Sequence, residues 1–151
     1  MYSVTKRIEF CYGHRLLDYD GICKHPHGHN AIAEIEVRTD VLDNRNMVVD
    51  FSDIKRMVKG WIDRELDHKM ILRQDDPMVE PLKALGEPLY LLDSNPTVER
   101  IAQLVFEDVL DHAERVPLIV RDKIFHIFEQ KSRRSLGQQN IPDAKEEISL
   151  V

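Results

Sequence analysis

Two segments near the amino terminus alternate hydrophobic and polar residues with the two-residue period of a β-strand. The first covers residues 3–10 and the second covers residues 31–38. Because side chains two apart share a face, one side of each segment can be buried while the other meets solvent. Residues 15–26 between them carry Gly21 and an acidic cluster typical of a loop. The pattern predicts a long antiparallel pair of strands joined by this loop.

Two later segments carry apolar residues at helical spacing. The first helix is predicted to start near Ser52 or Asp53, either of which could cap it, and to end at Asp67-His68. The second follows Asn95-Pro96-Thr97, which is typical of a helix start with proline near the first turn. Between them the pattern predicts a loop over residues 75–88 and a short extended run over residues 89–92. The two apolar stripes consist of Ile54, Met57, Val58, Trp61, Ile62 and Leu66, and of Val98, Ile101, Ala102, Val105, Val109 and Leu110.

The carboxy-terminal part of the chain changes from apolar to polar. Residues 118–129 contain an alternating run that predicts a last strand, whereas residues 140–151 are typical of a loose tail. The sequence has no internal repeat. We therefore expect one domain over residues 1–138 and a polar tail over residues 139–151.

Composition narrows the class of protein. The chain has 151 residues, of which 42% are hydrophobic and 32% charged, as in an ordinary globular domain. Its net charge of -6 and scattered basic residues argue against a general nucleic-acid binder. We find no signal-peptide pattern and no apolar run long enough to span a bilayer, so we expect a cytosolic protein with no membrane partner. Two cysteines are too few for a disulfide framework.

The predicted hairpin carries a candidate metal site. His27 and His29 are two residues apart and share a face, while His14 closes the first strand. Three imidazoles with a fourth position open are typical of a catalytic rather than a structural zinc site. Two alternatives stay open from the residues alone. His25 shares the alternation of His27 and His29, and Cys23 could close the site as a fourth ligand.

Several short motifs follow one another along the chain, namely Phe10-Cys11-Tyr12-Gly13-His14, Cys23-x-x-x-His27-Gly28-His29, Val49-Asp50-Phe51, Leu66-Asp67-His68, Asn95-Pro96-Thr97-Val98-Glu99 and Glu129. Their order, together with that of the predicted elements, resembles the 6-pyruvoyltetrahydropterin synthase family over residues 4–129. The three-residue gap between Cys23 and His27 is similar to the bacterial branch that makes 6-carboxytetrahydropterin for the queuosine and deazapurine pathway. The family usually has alanine where Gly13 stands here.

The resemblance implies an α+β tunnelling fold. In this fold a four-stranded antiparallel sheet carries two helices on one face, and subunits form a β-barrel as trimers, often paired into hexamers. Open sheet edges need pairing or protection, which makes a homo-oligomer physically sensible. The alternative is that the two amphipathic helices simply cover the sheet of a monomer.

The resemblance also implies roles for the metal-site and proton-transfer residues. His14, His27 and His29 would hold Zn²⁺, and Cys23 would be the general base, as a thiolate favoured by the neighbouring ion. Asp67 would orient His68, which exchanges protons near neutral pH, and this pair would come from a neighbouring subunit. The alternative for Asp67-His68 is a helix end with a favourable cation near its negative pole.

Three further residues are implied in substrate binding. Glu129 would accept two parallel hydrogen bonds from the pterin ring, because a carboxylate matches its amino and ring N–H donors. Thr97 and Glu99 would assist, although helix capping and a favourable first-turn charge are the alternatives for them. We interpret Asp50 as structural and Cys11 as packing.

The implied reaction is that of a zinc-dependent lyase. Its substrate would be 7,8-dihydroneopterin triphosphate, and its products would be 6-carboxy-5,6,7,8-tetrahydropterin, acetaldehyde and triphosphate. Arg15 and Lys24 are candidates for the triphosphate by position. The alternatives are formation of 6-pyruvoyltetrahydropterin or an aldolase-like reaction on the same scaffold, and a non-catalytic module that binds zinc or a pterin.

Overall fold

The computed structural model describes the backbone of residues 1–115, 123–130 and 148–150, and the side chains of residues 1–108. Its framework is the antiparallel pair of β1 (Tyr2–His14) and β2 (His27–Thr39). The pairing runs without interruption from Tyr2 opposite Thr39 to His14 opposite His27. The predicted hairpin is confirmed, and both strands extend far enough to include the histidines.

The sheet is mixed rather than fully antiparallel. Its described strands also include β3 (Lys69–Arg73), β4 (Leu89–Leu92), β5 (Lys123–Gln130) and β6 (Ile148–Leu150), in the order β4-β3-β1-β2-β5-β6. β3 is parallel to β1 and β4 is parallel to β3, whereas the other neighbours are antiparallel. The four-stranded antiparallel sheet was therefore a wrong expectation. β4 coincides with the extended run predicted over residues 89–92. β3 is five residues long, too short for its alternation to set it apart from a loop.

Three helices connect the strands in the described part of the chain. The first, α1, consists of an α-helical turn Phe51–Ile54, a π-helical segment Lys55–Lys59 and a second α-helical segment Gly60–Glu65. It is followed by α2 (Val79–Leu85) and α3 (Val98–Arg115). None of the described helices is long and apolar enough to cross a membrane.

The helix starts correct two details of the sequence interpretation. Asp50, rather than Ser52 or Asp53, caps α1, because its side chain accepts a hydrogen bond from the Ser52 amide. Helix α2 lies in the segment predicted to be a loop. Pro81 falls in its first turn, where a missing N–H does no harm, and Gly86 ends it with a left-handed backbone (φ 76°).

Helices α1 and α3 cover one face of the sheet, as predicted. On this face the even-numbered residues of β1 are buried from Ile8 onwards, and the odd-numbered residues of β2 are buried over residues 31–37. Arg7 and Glu34 pair on the other face at 2.9 Å. The shared core contains Ile8, Phe10, Ala33, Ile35, Ile62, Ile101 and Val105. The covered face continues to the end of the hairpin, where the histidines lie.

The carboxy-terminal segment differs from the predicted loose tail. Ile148–Leu150 forms β6, which pairs with residues 125–127 of β5. This pairing satisfies backbone groups at the outer edge of β5. The proposed domain boundary after residue 138 lies outside the described residues and stays a prediction.

Candidate active site

Three histidine rings converge at the end of the β1–β2 hairpin. Their ring centroids are 4.6 to 4.8 Å apart. The Nε2 atom of His14 lies 3.1 Å from that of His27 and 3.0 Å from that of His29. Because His14 pairs opposite His27, and His29 is two residues further along β2, the register alone brings all three to the covered face. His14 is only 4% exposed.

Backbone carbonyls orient two of the rings. Nδ1 of His14 donates to the Pro96 carbonyl at 2.6 Å, and Nδ1 of His27 donates to the His25 carbonyl at 2.7 Å. A carbonyl only accepts, so each Nδ1 carries the proton and each neutral ring presents a lone pair at Nε2. Two lone pairs facing each other at this distance repel unless a cation lies between them. The arrangement therefore fits a divalent ion held by Nε2 atoms.

The donor set fits zinc with an open position. The described residues contain two groups of potential ligands, and within each group the ligand atoms lie no more than 4.8 Å from one another. The groups are His14, His27 and His29, and Cys11, Asp67 and His68. Cys23 and His25 belong to neither. A site closed by the Cys23 thiol is thus not what this chain forms, and His25 contributes its carbonyl rather than its ring. Three imidazoles with room for another ligand are typical of catalytic zinc.

The Asn95 side chain holds in place the segment that contacts the His14 ring. Asn95 accepts a hydrogen bond from the Leu17 amide at 2.9 Å and donates to the Leu17 carbonyl at 2.8 Å. These two hydrogen bonds to the loop after β1 fix the segment whose Pro96 carbonyl orients His14. We interpreted Asn95 and Pro96 as a helix start and as part of a family motif, so this orienting role was missed.

Arg15 is held by a buried carboxylate. Its Nε and a terminal nitrogen each lie 2.7 Å from an oxygen of Asp76, which is 3% exposed. Burial raises the pKa of Asp76, but hydrogen bonds from Arg15 and the Met78 amide outweigh it and leave that pKa below its usual value. The charge of Arg15 is therefore largely balanced within the chain. Lys24, the other candidate for triphosphate, is exposed.

The Asp67-His68 pair follows α1, and β1 holds it in place. The His68 ring lies 2.9 Å from Asp67 Oδ2, and the His68 amide donates to the Cys11 carbonyl at 2.8 Å. The Cys11 amide in turn donates to Asp67 Oδ1 at 2.8 Å. His68 has a left-handed backbone (φ 58°), which this pair of backbone contacts maintains.

Asp67 is the electrostatic centre of this cluster. Burial raises the pKa of Asp67, but hydrogen bonds from the Cys11 amide, the His68 ring and the Cys11 thiol outweigh burial and leave the pKa below its usual value. An ionised Asp67 can orient the His68 ring by accepting its Nδ1–H. Our interpretation of Cys11 as simple packing is corrected, because this residue contacts Asp67 through both its amide and its thiol.

The predicted general base lies elsewhere in the single chain. Cys23 is half-buried in a one-turn 3₁₀ helix, Ile22–Lys24, and its carbonyl accepts from the Leu16 amide at 2.8 Å. It is not grouped with Asp67 and His68. The expectation that the pair meets Cys23 across a subunit boundary stays a prediction.

The predicted substrate residues lie at the start of α3 and the end of β5. Thr97 caps α3 by accepting from the Arg100 amide at 3.3 Å, and Glu99 is exposed in the first turn. Glu129 pairs with Ala31 in the β5–β2 register, and its side chain lies outside the described residues. The capping role of Thr97 is thereby confirmed, and the substrate roles of all three remain predictions.

A cavity of about 650 Å³ opens beside the Cys11 cluster. Its walls include Cys11, His29, His68 and Met70. A Cβ atom on Gly13 would lie 3.1 Å from the thioether of Met70, so this side chain occupies space that the glycine leaves. The cavity thus adjoins both histidine-containing clusters.

The chain resembles known proteins in sequence. Residues 3–129 match the protein family described as 6-pyruvoyl tetrahydropterin synthase. A protein of Rickettsia conorii named 6-carboxy-5,6,7,8-tetrahydropterin synthase is 40% identical over 104 residues, covering 68% of this chain and 75% of the relative. A protein of Aquifex aeolicus with the same name is 30% identical over 110 residues, covering 70% and 67%.

Solved structures share the fold. An uncharacterized protein of Wolinella succinogenes, WS1659, superposes with a TM-score of 0.71 at 25% identity, covering 89% of this chain and 96% of that one. The 6-pyruvoyl tetrahydropterin synthase of Caenorhabditis elegans superposes with a TM-score of 0.60 at 23% identity, covering 85% and 89%.

Proposed function

The chain belongs to the 6-pyruvoyl tetrahydropterin synthase family, and we propose that it is a zinc-dependent lyase of the 6-carboxytetrahydropterin-forming kind. Its substrates are 7,8-dihydroneopterin triphosphate and one water molecule, which is consumed when the side-chain carbon–carbon bond is cleaved, and its products are 6-carboxy-5,6,7,8-tetrahydropterin, acetaldehyde and triphosphate. The observation that carries this proposal is the convergence of three Nε2 atoms. In His14 and His27, the hydrogen bond from Nδ1 to a backbone carbonyl leaves the lone pair on Nε2. The names of the relatives in Rickettsia and Aquifex support the choice of product.

The metal would be held by His14, His27 and His29. Bound there, Zn²⁺ would supply Lewis-acid stabilisation of negative charge on the hydroxyl oxygens of the substrate side chain. The Pro96 and His25 carbonyls keep two of the rings in the tautomer that this binding needs.

Protons are moved by Cys23, His68 and Asp67. The Cys23 thiolate removes a carbon-bound proton that the conjugated pterin ring makes acidic. Asp67 accepts the Nδ1–H of His68, which leaves the exposed Nε2 of His68 to exchange protons as triphosphate departs. Because Cys23 is not grouped with this pair within one chain, a neighbouring subunit supplies it, and the active form is a trimer or hexamer.

The pterin ring is bound at the other end of the substrate. The Glu129 carboxylate accepts hydrogen bonds from the 2-amino group and a ring N–H of the pterin. Thr97 and Glu99 assist from the cap and the first turn of α3. Pro96, which precedes Thr97, contacts His14 through its carbonyl. The short segment of residues 96–99 thus connects the residues proposed to bind the pterin with the histidines proposed to bind the metal.

The direct test is incubation of the zinc-loaded protein with 7,8-dihydroneopterin triphosphate and identification of the products by mass spectrometry. We expect 6-carboxytetrahydropterin and acetaldehyde. A pyruvoyl product without acetaldehyde would favour the second reaction, and binding without turnover would favour a non-catalytic module. Cys23→Ala should abolish turnover while the zinc content stays unchanged, and undiminished turnover in this variant would contradict the proposed base.

A further inference from the structure

A second group of potential metal ligands contains Cys11, whose side chain leaves β1 on the opposite face from that of His14. Cys11 is an odd-numbered residue of β1, whereas His14 is even-numbered, so their side chains leave the strand on different sides. One ligand atom each from Cys11, Asp67 and His68 lies within 4.8 Å of the other two. This group shares no residue with the histidine site.

Backbone contacts fix these three residues relative to one another. The Cys11 amide holds the Asp67 carboxylate, and the Cys11 carbonyl holds the His68 amide, each at 2.8 Å. The left-handed backbone of His68 is a strained conformation for a residue with a side chain, and such strain persists where the surroundings determine it. The ligand atoms are therefore brought together before any ion arrives.

We propose that Cys11, Asp67 and His68 form a second metal site that binds a thiophilic divalent cation such as Zn²⁺. A thiolate, an imidazole nitrogen and a carboxylate oxygen are all zinc ligands, and the thiolate selects against Mg²⁺ and Ca²⁺. Binding releases the thiol proton to solvent, whereas the neutral His68 ring keeps its one proton on the nitrogen that does not bind the ion. The cavity of about 650 Å³ that opens on Cys11 and His68 gives an ion access and leaves room for water as a further ligand.

A consequence for activity rests on the proposed function. An ion bound to His68 would occupy the ring that is proposed to exchange protons during turnover. Zinc would then support activity from the histidine site and inhibit it from the Cys11 site. The second site is thus a means by which excess zinc lowers the rate.

The test is titration of the full-length protein with Co²⁺, followed by absorption spectroscopy and metal analysis without substrate. We expect a thiolate-to-cobalt charge-transfer band in the near ultraviolet, which the three-histidine site has no thiolate to produce. Cys11→Ser should remove this band and weaken the second equivalent of metal by roughly tenfold or more, since even outer partners of metal ligands affect affinity that strongly. Cys23→Ser is the matched control and should keep the band.

Two further variants separate the sites. His68→Ala alters a ring that is 79% exposed, so the fold should survive while the second equivalent is weakened. His27→Ala should keep the thiolate band while losing the first equivalent. The proposal is overturned if the wild-type protein shows no thiolate band, or if the band follows Cys23 instead of Cys11. Neither result depends on turnover, so failure of the proposed reaction would be recognised separately.

Discussion

Two histidine-containing clusters lie near the same end of β1, and they differ in almost every physical respect. The first consists of three identical ligands on the covered face, with His14 only 4% exposed. The second combines the Cys11 thiol with a carboxylate and an imidazole from the segment after α1, and the His68 side chain is 79% exposed. Adjacent residues of a strand point to opposite sides, so a single strand end can serve two separate chemistries.

The difference in exposure indicates that the buried cluster is suited to metal binding and the exposed cluster to proton transfer. Buried rings oriented by carbonyls change little when a ligand arrives, which suits a permanently held ion. An exposed ring oriented by a single carboxylate can exchange protons with solvent or substrate. The following predictions test this contrast, beginning with the largest expected effect.

The strongest effect should come from removing a ring of the buried cluster. His27→Ala takes away one of three ligands, and we expect zinc affinity to fall at least about a hundredfold, together with turnover. Metal analysis after dialysis measures the change. His25→Ala is the matched control, because His25 contributes only its backbone carbonyl and should keep full zinc content. Equal loss in both variants would show that the rings of the triad are not the ligands.

The exposed cluster should respond differently. Asp67→Asn removes the ionised acceptor of the His68 ring, and kcat should fall by about 10²–10⁴-fold while zinc at the histidine site is retained. Steady-state kinetics together with metal analysis separate the two effects. Asp63→Asn, at an exposed pair with Lys59, should leave kcat unchanged. Loss of zinc from the histidine site in the Asp67 variant would remove the distinction between the clusters.

The ion pair between Arg15, the residue after His14, and Asp76 can be tested by pH. Asp76→Asn leaves Arg15 without its buried partner and should destabilise the fold by about 3–5 kcal/mol, as measured by urea unfolding. Because the pKa of Asp76 is lowered in the folded state, its contribution is fully present above the ordinary aspartate pKa of about 3.9. That contribution is lost as the pH falls through the lowered value. The variant should therefore lose less stability than the wild type between neutral and strongly acidic pH. Asp75→Asn should differ from the wild type much less, because the Arg73–Asp75 ion pair that lowers the pKa of Asp75 is exposed and screened by solvent.

The smallest effect should come from removing the hydrogen bonds between Asn95 and Leu17, which hold the segment that contacts His14. Asn95→Ala removes two hydrogen bonds to Leu17 and should lower the free energy of unfolding by about 1–2 kcal/mol. Because Pro96 then holds His14 less firmly, zinc affinity should fall by up to roughly tenfold. Exposed Asn44→Ala provides the comparison and should change neither quantity. An unchanged zinc affinity in the Asn95 variant would show that the Asn95–Leu17 hydrogen bonds do not help to orient the His14 ring.

Local patterns in the sequence determined the hairpin and the position of its histidines. A two-residue period places His27 and His29 on one face whatever the rest of the chain does, and it continues through His14 in the facing strand. The apolar stripes of α1 and α3 likewise predict helices that must cover one side of the sheet. These features depend on neighbours within a few residues, which is the range over which periodicity carries information.

Tertiary structure alone decided the contacts that orient the site. His14 and Pro96 are 82 residues apart, Arg15 and Asp76 are 61 apart, and Cys11 and Asp67 are 56 apart. No period or turn signal encodes such pairs, because they arise only when the parallel strand β3 returns beside β1 and α3 begins against the hairpin. The sequence therefore determined which residues could bind a metal. The packing of distant segments decided how those residues are oriented, and it placed Cys11 beside Asp67.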